Sequence, residues 1–311
     1  MDEHYEIIYA QKRSMPGDIK VATQQDPPLH RIESLVRRRT ETDRRMGYKW
    51  MIVPLLPVGA AIAIGAISVG ILVSILPRIG NLSQPTTAES AIEPILGGML
   101  GGVIVFFAVL FFGALSFYYL IDRRNHHFGR QQLLFSTLHL YLASKVPASE
   151  TISQLGYLSE DSIYAEGVRP AGLWALLFLF LSPIVALIAS YSLTQDMRKH
   201  DELQSKYQVA LAPSLVEAGF QEPNFPTYKP HNRDPVLFII LTAITGGLFW
   251  IYWYYTLLKD YNEHFTDQAK FEEQILNTLI PLPTQGTCGR CGGIVPPGAR
   301  FCPNCGSQQT A

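Results

Sequence analysis

Four stretches of this 311-residue chain, residues 50–76, 95–121, 173–193 and 236–258, contain no Asp, Glu, Lys, Arg or His. About twenty apolar residues suffice for a helix to cross a hydrocarbon core, and every one of the four is long enough. Buried core helices do not account for them, because a soluble fold rarely holds four uncharged runs of this length. With 48% of residues hydrophobic and only 16% charged, the chain is also too apolar for two soluble domains. The net charge of −1 says little, since the charges are segregated between the runs. The expected fold class is therefore an all-α membrane protein with four transmembrane helices.

The segments between the runs set an expected topology. Residues 1–28 are polar, lack the apolar region of a signal peptide, and are expected to be disordered. Residues 29–49 pair a helical stripe (Leu29, Ile32, Leu35, Val36) with Arg37, Arg38, Arg39, Arg44, Arg45 and Lys49. Such a basic amphipathic helix either lies on an anionic membrane surface or stands solvated and supplies the positive-inside signal. Either way it puts the N-terminus in the cytoplasm. The loop around residues 77–94 carries Arg78 against Glu89 and Glu93 and reads as external; Asp122-Arg123-Arg124 is cytoplasmic again. The segment 197–234 should then be external, although Arg198, Lys199, Lys206, Lys229 and Arg233 make it more positive than such a loop ought to be. Apolar residues continue at helical spacing after the second and fourth runs (Leu134, Leu138, Tyr141; Phe265, Ile275, Leu279), which predicts cytosolic helical extensions that pack together or on a partner. Pro281 and Pro283 end the second extension. The expected units are two hairpins, residues 50–145 and 170–280, joined by a connector 146–169 and followed by a linker 281–287, in a multi-pass protein of the cell membrane with both termini cytoplasmic.

All four cysteines stand in the tail, as Cys288-x-x-Cys291 and Cys302-x-x-Cys305 with ten residues between. Two CxxC turns give a tetrahedral ion four thiolates, Gly292 and Gly306 suit the positive-φ knuckle turns, and Ile294–Phe301 reads as strand, turn, strand. Two disulfides are the alternative in an oxidising compartment; a cytosolic tail favours one structural Zn2+ on Cys288, Cys291, Cys302 and Cys305. A unit this small needs its metal to fold. The expected domain is a β zinc ribbon over residues 288–306.

The stretch Cys288-x-x-Cys291-Gly292 … Gly298-Ala299-Arg300-Phe301-Cys302-Pro303-Asn304-Cys305-Gly306 resembles the short zinc-ribbon modules that cap many bacterial and archaeal membrane proteins. It keeps their ten-residue gap and departs at Gly289, where proline is usual; the resemblance implies metal binding and names no partner. A second likeness lies in Asp234-Pro235-Val236 … Thr245-Gly246-Gly247-Leu248-Phe249-Trp250-Ile251-Tyr252-Trp253-Tyr254-Tyr255 … Lys259-Asp260-x-Asn262. This resembles an uncharacterised family of small prokaryotic membrane proteins, which implies a membrane location and no assigned activity.

The chain also resembles itself. Asn125-x-His127-Phe128-x-x-Gln131 and Asn262-x-His264-Phe265-x-x-Gln268 both follow an apolar run and a Tyr-rich helix end, which suggests a tandem duplication of a two-helix hairpin. His127 and His264 at equivalent positions invite a paired metal or proton site. The simpler reading is that Asn, His and Gln sit comfortably at headgroup level, with Asp260 pairing His264 one turn away. Gly97, Gly98, Gly101 and Gly102, with Gly59, Ala63, Ala66 and Gly70, form small-residue faces for helix contact or for a homo-oligomer.

The runs hold no charge for a proton relay. No nucleophile with a base, HExxH or phosphate loop is present, so an enzyme is not expected. Nucleic acid is not an expected partner either, since Arg290 and Arg300 are the ribbon's only cations. The leading expectation is a membrane-anchored interaction, scaffold or regulatory protein whose ribbon and cytosolic helices engage a protein partner. The alternative is a small-solute channel or transporter built from the duplicated hairpins.

Overall fold

The computed structural model describes residues 27–80, 89–226, 230–280, 286–295 and 299–308. The expected disorder of residues 1–26, the middle of the loop expected to be external at 81–88, and the prolines and linker at 281–285 lie outside the described residues.

The first two apolar runs form one helical hairpin. Helix α1, Pro28–Arg37, leads to α2, Ile52–Gly80, and α3, Glu89–Lys145. Pro54 and Pro57 fall in or next to the first turn of α2, where a missing N–H breaks few helical bonds. Helix α2 rises about 43 Å and α3 about 85 Å at 1.5 Å per residue, so α3 continues far beyond its apolar half. Close approach of α2 and α3 rests on Gly98, whose Cβ would meet Ile71 at 2.9 Å and Ile67 at 3.2 Å. Gly59, Gly70, Gly97, Gly101 and Gly102 face open space instead.

The third and fourth runs do not form simple spans. By length and composition, three helices among the described residues can cross a membrane: Tyr48–Val73, Leu96–Lys145 and Ala171–Glu217. Within α5, Ala171–Glu217 (α4 is Glu150–Ala165), Leu181 leaves helical geometry at φ −126°, ψ 33°, two residues before Pro183. A straight helix from residue 171 to 196 would separate its ends by about 37 Å. Yet Arg169 Nε donates to Asp196 Oδ2 at 2.6 Å, and Asn125 bonds both the N–H and the carbonyl of Arg169. Helix α5 therefore folds back on itself at Leu181. The fourth run does the same across Thr245–Leu248, where Gly246 (φ 60°) and Gly247 (φ 97°) adopt a conformation that side chains resist. Helix α6, Pro235–Ile244, thus lies against α7, Phe249–Leu279: Phe238 packs on Trp253, with ring centroids 5.5 Å apart, and Arg233 Nη2 reaches Asp260 Oδ1 at 2.9 Å.

The third and fourth expected spans are thus not continuous helices, and residues 196–217 lie at the same end as residues 122–145, where the expected topology had the two on opposite faces. Residues 196–217 continue α5 as helix, and Tyr207 Oη donates to the carbonyl of Phe135 on the extension of α3. Residues 122–145, 196–217 and 260–279 accordingly form one helical stalk at one end of the molecule. Its core joins Leu134, Leu138 and Leu142 to Leu211, Leu215, Phe271 and Ile275. The apolar stripe of α1 is buried in this core through Ile32, Leu35 and Val36, so that helix covers protein rather than lipid or water. The connector forms α4, capped by Ser149, whose Oγ accepts from Ile152 N at 3.2 Å.

Phe178 is the contact that seats the second hairpin on the first. A Cβ on Gly113 would overlap its ring. Gly113→Ala should therefore cost about 1–3 kcal/mol by overpacking, whereas Gly102→Ala, with nothing within 4 Å, should be neutral or slightly stabilising. Thermal unfolding midpoints of the two variants in detergent will separate them.

In the tail, β1 (Gly286–Thr287) pairs antiparallel with β2 (Ile294–Val295), and Phe301 bridges Gln308. Ile294 and Val295 thus find their partner before the first knuckle, not after the turn as the expected ribbon had it.

Candidate metal centre

Among the described residues three clusters could hold a metal ion, His231, Asp260 and Glu263 being one; the other two bring only cysteines or only histidines together. In the first, Cys288 Sγ lies 3.6 Å from Cys305 Sγ and Cys291 Sγ lies 3.7 Å from Cys302 Sγ, with all four sulfurs within 4.8 Å of one another. Four thiolates about 2.3 Å from a tetrahedral ion would stand about 3.8 Å apart, so the four cysteines can hold a metal ion. Backbone geometry builds the cluster: the Cys288 N–H donates to Gly293 O and the Cys302 N–H to Ser307 O, both at 2.8 Å. Gly292 (φ 68°) and Gly306 (φ 69°) close the knuckles.

The second cluster is at the heart of the stalk. His127 on α3, His200 on α5 and His264 on α7 turn their rings toward a common point. His264 Nε2 is 3.0 Å from His127 Nε2 and 3.2 Å from His200 Nε2, and all three residues are buried. Every Nδ1 faces a carboxylate: His127 meets Asp43 Oδ1 at 2.9 Å, His200 meets Glu166 Oε1 at 2.8 Å, and His264 meets Asp201 Oδ1 at 3.0 Å. A carboxylate at Nδ1 holds the proton there and turns Nε2 into a lone pair. Three such lone pairs facing one another repel unless a proton or a metal cation lies between them.

The stalk holds the rings in place. His200 stacks on Phe128 at 3.9 Å with 7° between planes, and the Arg124 guanidinium lies over the Phe128 ring at 4.3 Å. One turn further along each helix comes a glutamine. Gln131 donates to Gln204, Gln204 to Gln268, and Gln268 to Glu272 Oε1 at 2.9 Å. Arg130 ties this chain to the histidines: Nη1 donates to Glu272 Oε1 at 2.7 Å and Nη2 to Asp43 Oδ2 at 3.0 Å.

The titrating groups here lie beyond the apolar part of their helices. Burial drives the His127 imidazolium down to about 3 against the pull of Asp43, and burial likewise lowers His264, so both rings favour the neutral, ligating form. Burial would raise the Asp43 carboxyl, but His127 and Arg130 overcome it and hold the group well below the usual carboxylate range. At Glu272 burial outweighs Arg130, and the carboxyl is raised.

His127 and His264 do come together, as their repeat positions invited, but His264 Nδ1 turns to Asp201 rather than to Asp260, which pairs with Arg233. His200 was missed. A signal for it existed, because His200-x-x-x-Gln204 has the spacing of His127/Gln131 and His264/Gln268, but it lacks the Asn and Phe that flank the other two histidines. Asp43, Glu166 and Asp201 carried no signal at all, since their role depends on which ring each meets. No protein family, no curated protein and no solved structure matches the chain.

Proposed function

We propose that the chain is a membrane-anchored metalloprotein with two centres: a structural Zn2+ in the Cys288/Cys291/Cys302/Cys305 ribbon, and a divalent d-block ion held by His127, His200 and His264. The convergence of three Nε2 atoms, with a carboxylate behind every ring, carries this reading. Ligand nitrogens about 2.0–2.1 Å from one ion stand about 3.0 Å apart at right angles and about 3.4 Å apart in a tetrahedron, and the observed 3.0 and 3.2 Å fall in that range. Carboxylates on Nδ1 orient the rings and raise their basicity, as the outer partners of metal-bound histidines do.

The residues suit a clasp better than an open catalytic site. The three rings are fully enclosed, and they come from three helices whose stalk also receives Asp43 from the N-terminal segment. Loading the site would tie these elements into one rigid platform, which together with the ribbon would engage a protein partner. The membrane anchor is the apolar body below. In this reading the protein is a metal-dependent scaffold, and the partner binds only the loaded form.

Metal analysis of the purified protein tests the proposal. Two equivalents per chain are expected. Reconstitution with Co2+ should give both thiolate charge-transfer bands and the weaker visible bands of a nitrogen-ligated ion. A single equivalent with thiolate bands alone would refute the histidine centre. Asp43→Asn, which keeps the shape but weakens the acceptor behind His127, should reduce affinity at that centre by about 10–100-fold, read by competition with a chelator of known strength.

A further inference from the structure

The hairpin folded within α5 (the second) and the α6–α7 hairpin (the third) are shorter than the α2–α3 hairpin (the first). Helix α2 has 29 residues, whereas the outgoing arms are ten residues each: Ala171 to Phe180 before the reversal at Leu181, and α6 before the reversal at Thr245–Leu248. Ten residues rise about 15 Å, half of a hydrocarbon core about 30 Å thick. All three hairpins are closed at the same end by an arginine on an aspartate: Arg44 with Asp122, Arg169 with Asp196, and Arg233 with Asp260. In the second and third the two partners are 27 residues apart in sequence. With their bases level, the short tips end near the height of Leu110 on α3, and beyond it Val103, Ile104 and Phe107 stand exposed.

The short hairpins are apolar on the outside. Phe180 is 77% exposed and Ile244 76%, with Leu181, Ile184, Ile240 and Leu248 also uncovered. The tip of the third hairpin leaves few polar groups to solvate: Gly247 N donates to Thr242 O at 2.8 Å, Thr245 N to Leu241 O at 3.0 Å, and Phe249 N to Thr245 Oγ1 at 2.9 Å. A reversal inside lipid requires such internal satisfaction, because no water is there to replace it.

We infer that the second and third hairpins are re-entrant: they enter a single leaflet from the side of the stalk and return to it, and only the first hairpin crosses the bilayer. The acyl chains of that leaflet cover the exposed faces around Phe180 and Ile244. Continuity with the exposed apolar face of the first hairpin identifies lipid as the occupant, and the Arg–Asp pairs mark the depth at which the bases meet the headgroups. This inference concerns the membrane body and does not depend on the metal centres.

Native lysines test it without substitution. Lys145, Lys206 and Lys270 are exposed on the three extensions of the stalk. In sealed vesicles of each orientation, a membrane-impermeant amine-acylating reagent followed by peptide mass spectrometry should modify all three from one face and none from the other. Modification of Lys206 from the face opposite to Lys145 would overturn the inference, since residues 171–196 would then cross the bilayer. Phospholipids carrying a diazirine at the acyl end should form adducts on residues 176–184 and 240–248. Adducts on residues 99–107 but none at the two tips would overturn it as well, and would show the tips covered by protein, as in a dimer of this chain.

Discussion

His264→Ala will reduce the metal content from two equivalents to one, with the thiolate centre still loaded. His264 is the hub of its cluster, within 3.0 and 3.2 Å of the other two Nε2 atoms. Its loss leaves two nitrogens where a stable site needs three or four ligands. Partners behind the rings contribute about 10–100-fold in affinity, so loss of a direct ligand should exceed the upper end of that range. Cys302→Ser is the mirror experiment, and should spare the nitrogen-ligated Co2+ bands while abolishing the thiolate bands. Equal metal content in wild type and His264→Ala would remove the centre from the proposal. Because a fully buried residue is being replaced, helix content by circular dichroism accompanies the measurement. A folded variant with one equivalent assigns the loss to ligation rather than to collapse of the stalk.

Arg130→Met will destabilise the stalk by about 3–5 kcal/mol, the cost of stranding buried charge after one partner is removed. Arg130 is itself buried and joins two carboxylates, Asp43 at 3.0 Å and Glu272 at 2.7 Å. Methionine fills much of the volume, so the loss is electrostatic rather than a cavity. Adding Glu272→Gln should recover part of it, because Gln268 can still bond a neutral amide at that position. Denaturant unfolding followed by helical signal supplies the comparison. A loss below about 1 kcal/mol would mean that the two carboxylates are neutral or hydrated in solution. Asp43 also orients His127, so the single variant should weaken metal affinity together with stability, while Gly113→Ala, remote from the stalk, should affect stability alone.

The two halves of this protein differ in how far local sequence decides them. Two CxxC turns ten residues apart, each followed by a glycine, commit their thiolates to one point because every ligand pair lies within a single tight loop. The uncharged runs likewise commit residues 50–76 and 95–121 to apolar helices, and apolar residues at helical spacing carry α3 and α7 past their runs into the stalk. Hydropathy, however, reports the length of an apolar segment and not its direction. A reversal at Leu181, or at Gly246 and Gly247, keeps the same apolar composition as a straight helix, so the third and fourth runs read as spans although both ends of each meet in an Arg–Asp pair. That expectation put residues 197–217 at the opposite end from residues 122–145 and hid His200 from its partners. The proposed histidine centre is the clearest case. Its ligands lie 137 and 64 positions apart along the chain, and their carboxylates come from the N-terminal segment, the connector and α5. The sequence by itself determined which residues can ligate and which surfaces are apolar; only the folding back of the hairpins decided that three of those ligands converge, because a shared point between distant helices is a property of packing.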